Sequence, residues 1–216
     1  EWHSPDGVPG VGVPFYAAHP RLMTLERQQM FEAEGANKDE CLKILRHEVG
    51  HAFCTAYNIH RRREFRRLFG PISEPYPERY RPNPRSKRFV QHLDGWYAQA
   101  HPAEDFAETF AVCLRSRTRW RKRYAGWPVI EKLEAVDTLL DEHAGAPPKV
   151  RSRAKPYSLS QLRRTLRTHY ARKRAYYSVG YTDAYDRELL RLFSDDPKHR
   201  RNETASAFLR KNRRRI

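Results

Sequence analysis

Proline constrains this chain before anything else does. Fifteen of its 216 residues are proline, and five of them (Pro71, Pro75, Pro77, Pro82 and Pro84) fall within residues 70–88. Proline lacks the amide N–H and its ring clashes with the preceding helical turn, so this stretch is neither helix nor central strand. A loop of that length within a compact domain is usually functional or mobile. Elsewhere proline opens helices: Pro102 suits the first position of one running to Leu114, and Pro128 of one running to His143. Upstream, residues 1–20 are rich in Gly and Pro and read as an irregular lead-in. Residues 22–34 place Leu22, Leu25, Met30 and Phe31 at helical spacing. Asn37 and Glu40 form a capping pair that opens a helix to about Asn58, and a short basic helix is expected over residues 61–69. The fold class is therefore mainly α, or α+β with only a small sheet, for which residues 1–20 and 86–100 leave room.

The helix over residues 37–58 has two sides. At 100° per residue, Cys41, Leu42, Leu45, Val49, Ala52, Phe53 and Ala56 gather on one, and His47 and His51 lie within about 40° of each other on the opposite one. Imidazoles at i and i+4 can grip one zinc ion at about 2.0–2.1 Å, and Glu48 between them can reach a zinc-bound water. A catalytic zinc also needs a third protein ligand and an open position. The Pro102 helix supplies a candidate. Ala103, Phe106, Ala107, Phe110, Cys113 and Leu114 form its apolar side, with Glu104 and Glu108 off that side and one turn apart. Glu104 suits a ligand, and Glu108 an acceptor for the ring N–H of a coordinating histidine. Asp105, about 100° away, is expected to be solvated. His101 is read as a helix cap, His60 as a partner of the preceding helix's last carbonyls, and His92 as a weaker rival ligand.

These residues resemble a known family. His47-Glu-x-x-His51, followed by Tyr97 and then by Glu104-Asp-Phe-Ala-Glu108, is similar to the gluzincin metallopeptidases. The run His101-Pro-x-Glu-Asp-Phe-Ala-Glu-Thr-Phe110 resembles the bacterial zinc-binding metallopeptidase family in particular, over about Trp2 to His143, and the motifs are distantly similar to lethal-factor-type peptidase domains. The resemblance implies a zincin-like catalytic domain in which His47, His51 and Glu104 bind one Zn2+, Glu48 is the general base and Glu108 supports a ligand. Tyr97 matches a tyrosine that stabilises the oxyanion. The implied activity is zinc-dependent hydrolysis of peptide (amide) bonds; the resemblance supplies no substrate, and the chain is read as a peptidase or amidase of restricted specificity acting on a peptide or protein.

Charge divides the chain differently. The 42 Lys+Arg and 26 Asp+Glu give a net +16, but residues 1–150 hold 23 basic and 20 acidic residues, a net of only +3. The remaining 66 carry 19 basic and 6 acidic, a net of +13. A metallopeptidase domain over 1–145, a linker over 146–157 and a basic helical module over 158–216 follow. In the module Ser158 and Gln161 read as a capping pair for an Arg-rich helix with Leu159, Leu162, Leu166 and Tyr170 on one stripe, and shorter helices are expected near 183–194 and 203–213. Arg163, Arg164, Arg172, Lys173 and Arg174, with Tyr170, Tyr176, Tyr177, Tyr181 and Tyr185 interleaved, suit nucleic acid or another anionic partner. A solvated basic face is the competing reading. A binding protein with a structural or vestigial zinc site is thus the alternative to an enzyme; Glu48 favours the enzyme, because a structural site needs no base.

Apolar stretches are too short for a membrane span, and no signal-peptide anatomy is present. Glu1 in place of an initiator methionine is what a processed or trimmed chain shows. Cys41, Cys54 and Cys113 are few and widely spaced, which suggests a reducing, cytoplasmic setting.

Overall fold

The computed structural model describes residues 1–77, 80–116, 118–179, 192–194, 196–199, 201–203 and 205–212. The chain divides into two compact units, Glu1–Leu162 and Arg163–Ile216. The first contains α1 (Pro20–Met30), α2 (Lys38–Tyr57), α3 (Arg63–Leu68), α4 (Pro102–Arg115), α5 (Arg119–Arg123) and α6 (Ile130–Glu142). Among the described residues the only β-pairing is a single antiparallel bridge between His3 and Gly12, so the fold is mainly α. No described helix is long and apolar enough to cross a membrane.

Local chemistry sets the two helices that matter most. The Asn37 carboxamide oxygen accepts the Glu40 N–H at 2.9 Å and its nitrogen donates to the Glu40 carboxylate at 3.2 Å. Asp39 and Glu40 in the first turn of α2 complement the positive end of the helix. The helix stops where Asn58 turns left-handed at φ 54°, a conformation asparagine tolerates better than most residues. Pro102 begins α4, and the ring of His101 caps it by accepting the Ala103 N–H at 3.1 Å.

Every residue of α4 from Ala103 to Ala111 is buried, which makes it the central element. It packs against α2, α6 and the turn segment Asp94–Gln99. Its Phe106 and Phe110 join Phe65 and Phe69 from the α3 region and Trp120, Tyr124, Val129, Leu133 and Val136 from the α5–α6 region. Each fully buried ring or branched side chain contributes about 1.5–3 kcal/mol of transfer free energy. Against α2 the contact is closer: a Cβ on Gly50 would sit 2.9 Å from the Ala107 Cα and 3.2 Å from the Phe110 Cβ. Glycine is what lets the two backbones approach.

That contact changes the expected polarity of α2. On the apolar side Ala56 is buried and Val49 and Phe53 pack on the core, but Cys41, Leu42 and Leu45 are only half-buried, and His47, Gly50 and Cys54 on the imidazole side are buried as well. The polar stripe faces α4 because the groups of the two helices satisfy each other. Asp105 is also not solvated: it is buried, 2.5 Å from the Lys132 ammonium of α6. Lys132 lies over the Phe89 ring, 4.6 Å from its centroid. His60 sits 4.0 Å from the Cys54 sulfur rather than on the carbonyls of α2. All three cysteines are free thiols. After α6, Lys149 and Val150 both donate backbone bonds to the Ala56 carbonyl, at 2.9 and 3.0 Å.

Ser158 does not open a helix. Its hydroxyl pairs with that of Ser160 at 2.9 Å, and Leu159–Gln161 forms a single 3-10 turn. Leu159, Leu162 and Leu166 are exposed, and of that stripe only Tyr170 is buried. In the second unit α7 spans Leu166–Val179 and α8 spans Ala205–Asn212. The Phe193 and Phe208 rings meet edge to face with centroids 5.7 Å apart. Tyr181, Tyr185, Arg213, Arg214, Arg215 and most of the helix expected near 183–194 lie outside the described residues.

Candidate metal centre

α2 and α4 bring three donor atoms together. His47 Nε2 and His51 Nε2 are 3.0 Å apart, and Glu104 Oε2 lies 3.0 Å from the first and 3.2 Å from the second. Four donors placed tetrahedrally at 2.0–2.1 Å from a zinc ion are about 3.3 Å apart. The triangle is nearly one face of that tetrahedron, so these residues fit the ion the sequence suggested. His47, His51 and Glu104 are the group of possible metal ligands among the described residues. His92 and His101 are engaged elsewhere, His92 Nε2 with the Lys43 carbonyl at 2.9 Å and His101 Nε2 with that of Glu74 at 2.8 Å.

A layer of supporting bonds surrounds the triangle. His47 Nδ1 lies 2.8 Å from Glu108 Oε1, and the other oxygen of Glu108 accepts the Leu93 N–H at 2.7 Å. Glu108 has no exposed surface, and its two bonds set the tilt of the His47 ring. Glu48 is buried beside the triangle. The Tyr97 ring lies 5.7 Å from that of His47, just after Gly95 and Trp96, which take left-handed φ of 74° and 54°. Such a conformation is costly for a bulky residue like tryptophan, and it redirects the chain immediately before Tyr97.

The charges are strongly coupled. Burial disfavours the charged form of His47, but hydrogen bonds to Glu104 and Glu108 overcome it and hold the imidazolium up to about 9. Burial works against the Glu104 carboxylate too, yet the two imidazoles keep it well below the usual carboxylate range. Burial pushes Glu48 upward, opposed by His47 and His51, and His3 of the N-terminal segment also acts on it. Burial and the Glu104 charge push the Tyr76 and Tyr97 phenols up, so both are donors at neutral pH.

The model of a family described as "putative zinc-binding metallo-peptidase" matches residues 24–139. The chain belongs to this family. No curated protein and no solved structure matches. The metallopeptidase match is shorter at its start than the resemblance from Trp2 suggested, but it contains all of α2, the turn segment 94–99 and α4 up to its end. The His3–Gly12 bridge and the basic second unit lie outside it.

One site residue was not anticipated: Tyr76, whose hydroxyl donates to Glu104 Oε1 at 2.6 Å. The only sequence signal is its place between Pro75 and Pro77, which favours an extended backbone. The basic residues Arg163, Arg164, Arg172 and Arg174 are exposed in the second unit, and Lys173 lies over the Tyr177 ring, 5.9 Å from its centroid.

Proposed function

We propose that this metallopeptidase-family chain is a zinc-dependent hydrolase of peptide bonds with restricted specificity, using one ion held by His47, His51 and Glu104. The reading rests on one observation above all: a carboxylate, Glu48, lies buried beside a zinc-sized triangle of donors to which it contributes no atom. A structural site would gain nothing from such a neighbour. Bound zinc would supply Lewis acidity for the scissile carbonyl and for water at the open position.

The rest is done by the chain. Glu48, lifted by burial, takes the proton of the attacking water and passes it to the leaving amine. Glu108 holds His47 by Nδ1, so that Nε2 faces the triangle. Tyr97 donates a hydrogen bond to the developing oxyanion, a role for which a lost donor costs ~2.7–4 kcal/mol in other enzymes. The catalytic region lies within the unit Glu1–Leu162, and the basic unit Arg163–Ile216 holds the enzyme near a nucleic acid or other anionic partner.

Glu48→Gln tests the central claim. Zinc binding should persist while hydrolysis of a mixed peptide library falls by about 10²–10⁴-fold. Equal hydrolysis by both proteins, or none by the zinc-loaded wild type, would reject it.

A further inference from the structure

Glu104 presents two oxygens, and only Oε2 faces the imidazoles. The other, Oε1, accepts the Tyr76 hydroxyl at 2.6 Å, within the range of short charge-assisted O–H···O⁻ bonds. A carboxylate with both oxygens free can bind a cation through either one or both. Here one oxygen is already engaged.

Tyr76 is itself held in place. Its ring stacks on His101 with centroids 3.9 Å apart and planes 14° from parallel. His101 is pinned at both nitrogens, to the Ala103 N–H and to the Glu74 carbonyl. The side chain that caps α4, the helix carrying Glu104, is therefore also the platform for the tyrosine that binds Glu104. Further along the proline-rich segment, the Tyr80 hydroxyl donates to the Gly95 carbonyl at 3.1 Å, and Asn83 and Gln99 exchange bonds of 2.8 and 3.0 Å. These anchors tie the segment to the turn that carries Tyr97.

We infer that Tyr76 is a positioning residue that restricts Glu104 to coordination through Oε2 alone, keeping a position on the ion open for water and substrate. The inference rests on the proposed reading of His47, His51 and Glu104 as ligands. It also gives the proline-rich segment a part in the site. Pro75 fixes its own φ, Pro77 disfavours a helical Tyr76, and from this non-helical stretch the hydroxyl reaches Glu104.

Cobalt(II) substitution of the full chain tests it, because four-coordinate cobalt absorbs visible light much more strongly than five-coordinate cobalt. Tyr76→Phe keeps the ring on His101 and removes only the hydroxyl. The expected result is weaker absorption per bound cobalt and a 10–100-fold loss in kcat, with KM within about twofold. Tyr76→Leu, which also loses the stacking, should match Tyr76→Phe in its cobalt spectrum. If only the leucine variant changes, the role lies in packing and the inference is overturned. An unaltered spectrum in Tyr76→Phe overturns it as well, with the metal site intact. A wild-type chain that takes up no cobalt, or binds it equally after Glu104→Ala, overturns the metal-site reading and this one together.

Discussion

At the scale of single residues the site is defined by a competition for one position. His47 lies between Glu104 and Glu108, and the two carboxylates hold its imidazolium up to about 9. Its ordinary value is 6.5, so the folded state binds this proton more tightly than the unfolded chain does. The resulting stabilisation of the metal-free protein is fully present below pH 6.5 and lost as pH rises through about 9. Zinc needs the neutral ring. Near pH 7.5 its binding should therefore expel about one proton from His47, measurable by calorimetry in buffers of different ionisation enthalpy. Apparent affinity should rise by about tenfold per pH unit until pH approaches 9. Proton release near zero at pH 7.5 would refute this account. The pairing was partly legible: His47, His51 and Glu104 were read from helical spacing, and so was the support of a ligand by Glu108. Tyr76 was not, because a hydroxyl on a nonperiodic segment reaches its partner by a path that no spacing rule describes. Asp105 was misread for a related reason. Its angle on α4 was correct, but angle alone does not reveal that Lys132, 27 residues later, comes to meet it.

Between elements, the decisive contact is that of α2 with α4. Capping signals made both helices readable: Asn37 with Glu40 at one start, His101 and Pro102 at the other. Ser158 and Gln161 offered the same kind of signal and failed, since the following turn reaches extended backbone at Leu162. A cap satisfies a helix start; continuation needs a face to bury, and Leu159, Leu162 and Leu166 stay largely exposed. Hydrophobic periodicity finds the Val49, Phe53 and Ala56 side of α2 that meets the core but not the burial of the imidazole side, because Gly50 contributes almost nothing to an apolar count while permitting the closest approach. This yields a prediction at Gly50. Alanine is the better helix former by about 1 kcal/mol, yet its methyl would press on the Ala107 backbone at 2.9 Å. Overpacking of a tight contact costs about 1–3 kcal/mol. Gly50→Ala should therefore destabilise the protein modestly, by about 1 kcal/mol net, while weakening zinc binding, because the separation of α2 from α4 sets the triangle's edges. Denaturation and zinc competition on the same sample would check it. A more stable variant with unchanged zinc affinity would show that the helices yield freely at this point.

Across the whole molecule, metal chemistry and charge are carried by different stretches of chain. The candidate ligands and Glu48 fall within residues 24–139, the span of the family match, whereas most of the +16 lies beyond residue 150. Arg163, Arg164, Arg172 and Arg174 are exposed in a unit of their own. They lie outside the span of the family match, and long-range attraction of an anionic partner is the physical effect that such a cluster produces most directly. Removing one cation–phosphate pair should reduce the slope of log affinity against log salt by about 0.7–0.9. Replacing Arg163, Arg164, Arg172, Lys173 and Arg174 with glutamine should thus lower retention on immobilised nucleic acid and flatten its salt dependence. Zinc affinity and hydrolysis of a short uncharged peptide should stay within about twofold, because neutral substrates gain little from that attraction. Retention that is insensitive to salt in the wild type, or unchanged by the five substitutions, would remove the electrostatic role. A parallel loss of peptide hydrolysis would instead mean that the basic unit supports the catalytic one directly.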